Sequence, residues 1–388
     1  MTTTSAPSPV HQFSFPTAIS FGAGARRRVP EHLRTAQVKR PLVVTDQGVA
    51  SLPMTGELMD GLRAAGLHPG LFGGVRGNPT AGQVGAGVAA YRVHDADGIV
   101  GLGGGAALDV AKAVALMTGH EGDVLEYAWD HPHVRAIKHA LPWLIALPTT
   151  AGTGSEVGRS AVISHDITHV KKIIFSPALL PKAVFADPEL SLGLPPHLTA
   201  ATGMDALAHN VESYLSPAYH PLCDGIALEG ARLAARALRV AVHEGRNLAA
   251  RSDMLMSSLM GAVAFQKDLG AVHSCAHSLG TVLNLHHGLA IGVMFDHVMH
   301  FNELAAAVKM AELARVCGAG TTAGDFTAWL GQLKNDIGIP ATLDPLGATL
   351  GHLARLVEVA LADTCHRTNP RPCSRDDFEM LFRQALAK

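Results

Sequence analysis

Pairs of potential metal ligands recur in the second half of the chain. Asp205 and His209 are four residues apart, and His273 and His277 repeat that spacing. Residues four apart lie one turn above each other on the same face of a helix, so each pair can present two ligands to one point. A carboxylate combined with imidazoles forms a mixed oxygen and nitrogen set, which suits Zn²⁺ or Fe²⁺ rather than Mg²⁺ or Ca²⁺.

Chance is the alternative explanation for any one pair, because the chain contains 22 histidines. Most of these side chains fill the core or the surface, and only a few can meet at one site. A third group, His286-His287-Gly288, follows the second pair closely. Neighbouring residues on one helix cannot both face an ion, so one of these two histidines turns away. Two spaced pairs and a third group in one region favour a metal site.

A glycine turn in the first half of the chain is typical of a phosphate-binding turn. Gly103, Gly104 and Gly105 stand between a predicted strand and a predicted helix. The glycines let the backbone approach a pyrophosphate, and the start of the helix supplies free N–H groups. The alternative is a tight turn without a ligand. A second small, hydroxyl-rich turn, residues 148–155, follows another predicted strand and favours the binding interpretation.

Asp46 follows a further strand, where a carboxylate can bind both hydroxyls of an adenosine ribose and disfavour a 2′-phosphate. In the common Rossmann arrangement the acidic residue comes after the glycines, whereas Asp46 precedes Gly103. The order therefore predicts a different dinucleotide-binding fold, or no dinucleotide site.

The elements that position these residues change in character along the chain. Up to about residue 195, short apolar runs alternate with helical stretches, which predicts a parallel sheet covered on both faces. The predicted strands are residues 41–45, 98–101, 143–147 and 183–186, and the predicted helices among them are 54–65 and 107–117. Beyond residue 195 we predict helices only, among them residues 225–242, 249–265 and 303–316 and a last helix capped by Ser374. The sequence thus predicts an α/β dinucleotide-binding domain over residues 1–193 and an all-helical metal-binding, catalytic domain over residues 194–388.

Composition excludes several classes of protein. A net charge of −2 over 388 residues argues against a nucleic-acid or membrane-surface partner. No apolar stretch approaches the roughly 20 residues of a membrane span. The five cysteines include no closely spaced pair, which is typical of reduced thiols in the cytoplasm.

Several motifs together closely resemble the iron-containing (group III) alcohol dehydrogenase family, which has a dehydroquinate-synthase-like fold. The resemblance extends from Phe15 to the last helix. The motifs that carry it are Gly103-Gly104-Gly105 with Asp109 and Lys112, residues 149–156, Asp187-Pro188, residues 203–209, residues 273–280, His287-Gly288 and Asn369-Pro370-Arg371.

The resemblance implies a role for individual residues. It implies that a divalent metal, Fe²⁺ or else Zn²⁺, is held by Asp205, His209, His273 and His287, and that His277 faces the substrate and relays the alcohol proton. It implies that NAD is contacted by Asp46, Asn78, Gly104, Gly105, Ala106, Asp109, Thr149, Thr150 and Lys171. Cys365 would lie near the substrate, and a homodimer or larger assembly would form through the N-terminal residues 13–21.

The sequence departs from the family pattern at positions that leave the metal ligands intact. Ala106 replaces a serine after the glycines, Gly158 replaces a threonine, Ile291-Gly292 replaces Asn-Ala, and His286 replaces a proline. Arg159, directly after Gly158, either points to solvent or pairs with Glu156, or it reaches the cleft and binds a substrate carboxylate.

The resemblance implies transfer of hydride between a small primary alcohol, or a hydroxy acid or semialdehyde, and NAD, with the metal acting as a Lewis acid. One alternative is a maleylacetate-reductase-like oxidoreductase, in which the metal can be absent. Another is a dehydroquinate-synthase-like lyase, which needs a basic cluster that the helical half lacks around the ligands. A binding protein without catalytic activity is a further alternative on this fold.

Overall fold

The first half of the chain folds around a parallel sheet. A computed structural model describes residues 13–15 and 17–386. Six strands form the sheet in the order β1-β8-β5-β4-β2-β3, all parallel, and β6 and β7 form a separate antiparallel hairpin. The strands are β1 Ala18–Phe21, β2 Pro41–Asp46, β3 Gly70–Val75, β4 Gly98–Gly103, β5 Trp143–Pro148, β6 Ser160–Ser164, β7 Lys171–Phe175 and β8 Ala183–Ala186.

Five helices accompany the sheet, and nine follow it in the part of the chain that the structure describes. The first five are α1 Val29–Thr35, α2 Gln47–Ala50, α3 Pro53–Ala64, α4 Ala81–Val93 and α5 Gly105–Met117. The others are α6 Pro196–Leu215, α7 Pro221–His243, α8 Leu248–Ala264, α9 Ala271–Leu283, α10 His287–Asn302, α11 Ala307–Val316, α12 Ala323–Asp336, α13 Leu353–Ala362 and α14 Arg375–Leu386. No described helix is long and apolar enough to span a bilayer.

The central strands are apolar throughout because both of their faces are covered. In β2, Leu42 and Val44 pack into one core together with α5, whereas Val43 packs into another core on the opposite face. Successive residues of a strand point to opposite faces, so such a strand needs an unbroken apolar run rather than an alternating one. A third core holds the helical half together and is formed around α6, α9 and α10.

The order of the strands creates a crevice next to the glycine turn. From β2 the chain continues outward to β3 and then crosses back to β4 on the other side of β2. Loops that leave neighbouring parallel strands in opposite directions open a crevice at the carboxyl ends of those strands, where ligands of α/β proteins bind. Asp46 ends β2 and Gly103 ends β4, so both residues lie at this point.

The predicted fold class is confirmed: a parallel α/β part precedes a helical part, and no described residue after Ala186 belongs to a strand. All four predicted strands are present, and Ser374 caps the last helix by accepting the N–H of Asp377. The helix predicted from residue 303 begins only at Ala307. The hairpin β6–β7 was not predicted. The division into domains at residues 193 and 194 stays a prediction.

Candidate active site

Three helices bring the four predicted metal ligands together. Asp205 and His209 lie on α6, His273 lies on α9, and His287 is the first residue of α10. The start of α10 approaches α6 backbone to backbone, since a Cβ atom at Gly288 would lie 2.3 Å from the carbonyl oxygen of Ala201. A glycine after His287 is therefore required for its imidazole to reach the ligands on α6.

The distances from the Asp205 carboxylate to the three imidazoles are those of donors that share one ion. Oδ1 of Asp205 lies 3.6 Å from Nε2 of His209, 3.6 Å from Nε2 of His273 and 3.5 Å from Nε2 of His287. Donor atoms bound tetrahedrally at about 2.0–2.2 Å are roughly 3.3–3.6 Å apart. Asp205, His273 and His287 offer atoms that lie within 4.8 Å of one another. The ring of His209 stacks on that of His273, with 4.8 Å between the centroids.

Orphaned polar atoms support the same interpretation. Oδ1 of Asp205 and Nε2 of His273 are buried and have no hydrogen-bond partner within the described chain. An unpaired buried polar atom costs about 1–3 kcal/mol unless something satisfies it. The side chains of Asp205, His209 and His273 are 3%, 6% and 2% exposed, whereas that of His287 is 23% exposed. A cation bound between them would satisfy both orphaned atoms.

Glu212, which was not predicted, holds His273 in place. Its Oε2 accepts a hydrogen bond from Nδ1 of His273, and its Oε1 accepts the backbone N–H of Val272 at 2.8 Å. A proton on Nδ1 leaves Nε2 with a free lone pair that points at Asp205, as a metal ligand requires. The signal in the sequence is position, because Glu212 follows His209 by three residues and so shares its face of α6.

The charges of the group suit a cation. Burial would raise the pKa of Asp205, yet His209, His287 and His273 hold that pKa well below its usual range. Burial lowers the pKa of His209 to about 4, which leaves its imidazole neutral at pH 7. Burial would also lower the pKa of His273, but Glu212 and Asp205 outweigh this effect and raise it to about 9. The carboxylates that stabilise a proton there would equally stabilise a metal cation.

His277 stands beside the ligands and is oriented by a second carboxylate. Its Nδ1 donates to Oδ2 of Asp363 at 2.8 Å, and its ring stacks on that of His287 at 5.3 Å between centroids. Asp363 is itself fixed, since its Oδ1 accepts from Ser274 Oγ at 2.7 Å and from the N–H of Cys365 at 2.9 Å. Asp363 was not predicted, and no spacing in the sequence marks it.

The glycine turn is formed as the sequence indicates. Gly103 has a φ of 145°, and a Cβ there would lie 2.7 Å from that of Ala107, so other residues are excluded. Helix α5 begins at Gly105 and has no side-chain cap, which leaves its first N–H groups available to an anion. A Cβ at Gly105 would lie 2.6 Å from Thr153, so the second turn packs directly against the first.

A buried ionic cluster, formed by Lys112 and Asp109, holds the two turns together. Lys112 donates to Ser155 Oγ at 2.9 Å and to the carbonyl oxygens of Gly158 at 3.0 Å and Ser160 at 2.8 Å. Asp109 accepts from Ser155 Oγ at 2.5 Å and from the N–H of Val162. Burial lowers the pKa of Lys112 to about 8, against the opposing effect of Asp109. The cluster ties α5 to the Ser155 turn and to β6.

One cavity of about 1120 Å³ joins the turn to the metal ligands. It is lined by all four predicted ligands, His277 and most of the residues expected at the cofactor, namely Asn78, Gly104, Gly105, Ala106, Asp109, Thr150 and Lys171. Asn78 also bridges the two halves of the chain, because its Nδ2 donates to Oδ1 of Asn284 at 2.9 Å.

Asp46 and Thr149 do not line this cavity. Oδ1 of Asp46 accepts the N–H of Val49 and caps α2, and its Oδ2 would lie 3.2 Å from a Cβ at Gly103. Asp46 therefore adjoins the glycine turn at the end of β2. Thr149 is buried directly after β5, where its N–H donates to the carbonyl oxygen of Gly103.

Comparison with known proteins is consistent with this arrangement. The family model for iron-containing alcohol dehydrogenase matches residues 16–188, and that for the C-terminal part of the Fe-containing alcohol dehydrogenase family matches residues 199–386. A 4-hydroxybutyrate dehydrogenase of Cupriavidus necator is 38% identical over 381 residues, covering 95% of this chain and 98% of that protein.

Solved structures with a similar fold belong to the same group of enzymes. The crystal structure of a 1,3-propanediol oxidoreductase has a TM-score of 0.93 at 37% identity and covers 97% of this chain and 100% of its own. A sulfoacetaldehyde reductase from Bifidobacterium kashiwanohense, solved in complex with NAD⁺, has a TM-score of 0.88 at 28% identity, with coverages of 97% and 99%. These relatives do not favour the maleylacetate-reductase-like or the lyase alternative. The chain therefore belongs to the iron-containing alcohol dehydrogenase family and is a metal-dependent oxidoreductase that acts as an alcohol dehydrogenase.

Proposed function

We propose that the protein interconverts small primary alcohols and aldehydes, using NAD as the hydride carrier and a divalent metal ion held by Asp205, His209, His273 and His287. The observation that carries this proposal is the single cavity that contains both these four side chains and the Gly104–Ala106 turn. A substrate bound beside the four ligands lies in the same space as a dinucleotide whose phosphates rest on the turn.

The metal ion would supply Lewis acidity to the oxygen of the substrate. We propose Fe²⁺ because the chain belongs to the iron-containing family, although the same donors suit Zn²⁺. The task of the protein is to orient the donors towards the ion, which Glu212 does for His273 through the hydrogen bond with Nδ1.

The dinucleotide would be NAD, as it is in the solved sulfoacetaldehyde reductase complex. The N–H groups at the start of α5 would bind the pyrophosphate, and Asp46 would bind the adenosine ribose. The remaining expected contacts are Asn78, Asp109, Thr149, Thr150 and Lys171. Of these, Asp109 has its carboxylate occupied by Ser155 and Val162, so its contribution would be to hold the turn in shape.

His277 would move the proton of the alcohol. Since its Nδ1 is occupied by Asp363, its Nε2 is the ring nitrogen left to exchange a proton with substrate or water. The carboxylate of Asp363 keeps the ring in one orientation and stabilises it when it carries the extra proton.

The substrate class would include hydroxy acids and semialdehydes as well as plain aldehydes, as the name of the 4-hydroxybutyrate dehydrogenase relative suggests. We propose a cytoplasmic enzyme, since all five cysteines are free thiols. We also propose a homodimer that forms along β1, an edge strand whose Ile19 and Phe21 are each 39% exposed.

The experiment is an assay of NADH oxidation with butyraldehyde, before and after removal of metal by a chelator. Activity should disappear in the metal-free protein and return when Fe²⁺ or Zn²⁺ is added back. The His273→Ala variant should bind no stoichiometric metal and should not recover. Full activity in protein shown by elemental analysis to contain no divalent metal would refute the proposed mechanism.

A further inference from the structure

Arg159 projects a positively charged side chain into the active-site cavity. It stands between the Ser155 turn and β6, and its own carbonyl oxygen accepts the N–H of Ser176 at 3.0 Å. Its Nη2 donates to Oε1 of Gln266 at 3.4 Å, and its guanidinium lies 5.6 Å from the ring centroid of Phe175. Neither of these two contacts neutralises the charge of the guanidinium.

No carboxylate of the described residues lies within ion-pair distance of this guanidinium. The pairing with Glu156 considered from the sequence is not formed: Arg159 contacts Gln266, and Glu156 is buried near Lys112 and Asp109. By contrast, Arg26, Arg239 and several other arginines are paired with carboxylates. An arginine has five N–H donors in a planar fork that matches a carboxylate, and most of those of Arg159 remain available to a ligand.

The contacts of Arg159 connect it to the metal-binding end of the cavity. Gln266, the partner of Arg159, directly follows Phe265, whose ring lies 5.3 Å from that of the ligand His209. Gln266 is fixed in turn, because its Nε2 donates to the carbonyl oxygen of Val263 at 3.0 Å. Through Gln266 and Phe265, Arg159 is linked to the part of the cavity wall that carries the ligand His209.

A second guanidinium lies on the wall of the same cavity. Arg367, on the segment that follows Asp363, also lines the cavity and forms no ion pair among the described residues. Asp268 lines the cavity as well and offsets one of the two guanidinium groups. Burial raises the pKa of Asp268, which weakens its opposing charge. Lys171, Asp109 and Asp205 line the cavity too, so its formal charges balance, and the attraction for an anion comes from guanidinium groups that have no carboxylate partner among the described residues.

We propose that Arg159 binds the carboxylate of the substrate, so that the preferred substrates are short ω-oxo acids and the ω-hydroxy acids formed from them. This inference rests on the proposed function. In the reduction, the aldehyde carbon receives a hydride from NADH and its oxygen receives a proton, which gives the hydroxy acid and NAD⁺. The carboxylate is unchanged and serves only to hold the far end of the molecule.

The test compares two four-carbon aldehydes that differ in one carboxylate, succinic semialdehyde and butyraldehyde. In Arg159→Met, the ratio of kcat/KM for the acid to that for the neutral aldehyde should fall about ten- to a hundredfold, through a raised KM for the acid. Arg159→Lys keeps the positive charge but loses the planar pair of N–H donors. Its kcat/KM ratio should therefore lie between those of the wild type and Arg159→Met. Arg246→Met, an exposed arginine outside the cavity, is the matched control and should keep the wild-type ratio.

A binding measurement makes the test independent of turnover. Calorimetric titration of the metal-loaded, NADH-bound enzyme with 4-hydroxybutyrate, a pair that cannot react, should show weaker binding in Arg159→Met than in the Arg246→Met control. An equal fall for both aldehydes, or a raised KM for NADH alone, would place the guanidinium elsewhere and overturn the inference. Wild-type protein that oxidises NADH with butyraldehyde but shows no preference for the acid also overturns it, while the proposed function stands.

Discussion

Oδ2 of Asp363 lies 2.8 Å from Nδ1 of His277, and this contact joins the residue that directly follows α13 to the middle of α9. This hydrogen bond occupies Nδ1 of His277 and so leaves Nε2 for the cavity. The same carboxylate is bound by Ser274 and by the backbone of Cys365, so it cannot turn away from the imidazole without losing two hydrogen bonds.

Replacing Asp363 by asparagine should lower kcat about ten- to a hundredfold, since the ring would no longer be held in one orientation and protonation state. The KM for NADH and the metal content should stay close to those of the wild type. Steady-state kinetics and elemental analysis measure these quantities, with the exposed Asp60→Asn as a control. A variant that loses its metal would show that Asp363 supports the ion instead of His277.

Glu212→Gln should weaken metal binding by about ten- to a hundredfold, because an amide cannot stabilise the proton on Nδ1 of His273 as a carboxylate does. Competition between the metal-free protein and a chelator of known affinity measures the change. Glu229→Gln, at an exposed carboxylate that pairs with Arg232, should bind metal like the wild type. Unchanged affinity in Glu212→Gln would contradict the assigned role.

Asp46→Ser should narrow or reverse the preference for NAD over NADP, by roughly ten- to a hundredfold in the ratio of kcat/KM values. Serine can still accept the N–H of Val49 and cap α2, so the variant removes the negative charge with little loss of local structure. A thermal melt checks that the fold is intact. Equal efficiency with both cofactors in the wild type would remove the basis of this prediction.

Glu156 should make the protein less stable as the pH rises. Burial raises its pKa from 4.5 to about 7, so between these values the folded chain keeps a proton that the unfolded chain releases. The free energy of unfolding should therefore fall across this range, by an amount on the order of 3 kcal/mol from this group.

Glu156→Gln should lack that slope, and denaturant titrations at several pH values measure the difference from the wild type. Glu31→Gln, at an exposed carboxylate, is the matched control. Parallel pH profiles for the wild type and Glu156→Gln would mean that Glu156 is already ionised in the folded protein.

Ile19→Asp should shift the protein from dimer to monomer, because it places a charge on the exposed edge strand β1. Light scattering after size exclusion measures the mass. Leu304→Asp, at a residue that is 97% exposed in the helical half, should leave the assembly unchanged. If the Ile19→Asp variant is still a dimer, the proposed interface along β1 is wrong.

Local spacing explains which parts of the site could be predicted. The pair Asp205 and His209 and the glycine turn are each set by neighbouring residues on one element, so helical periodicity and backbone sterics are enough. The contacts of Glu212 with His273 and of Asp363 with His277 span 61 and 86 residues. No periodicity of one helix reports which face of a distant helix it will meet, so both carboxylates were missed.

The fold shows the same limit. Buried parallel strands such as β2 and β4 were predicted because they are apolar on both faces. The hairpin β6–β7 was missed because only four of its ten residues are buried and β7 begins with two lysines. Its place is set by Lys112, whose bond to Ser160 is a tertiary contact.

Among the described ligand side chains, His287 is the one with appreciable exposure, and it faces the cavity. An ion would enter and leave by the same opening that a bound dinucleotide covers. Retention of the metal would then be linked to the cofactor supply of the cell, because molecules with a cofactor in place would keep their ion and those without one would yield it to competing chelators. When the metal is scarce, the enzyme pool would divide by cofactor occupancy, with the empty molecules inactivated first.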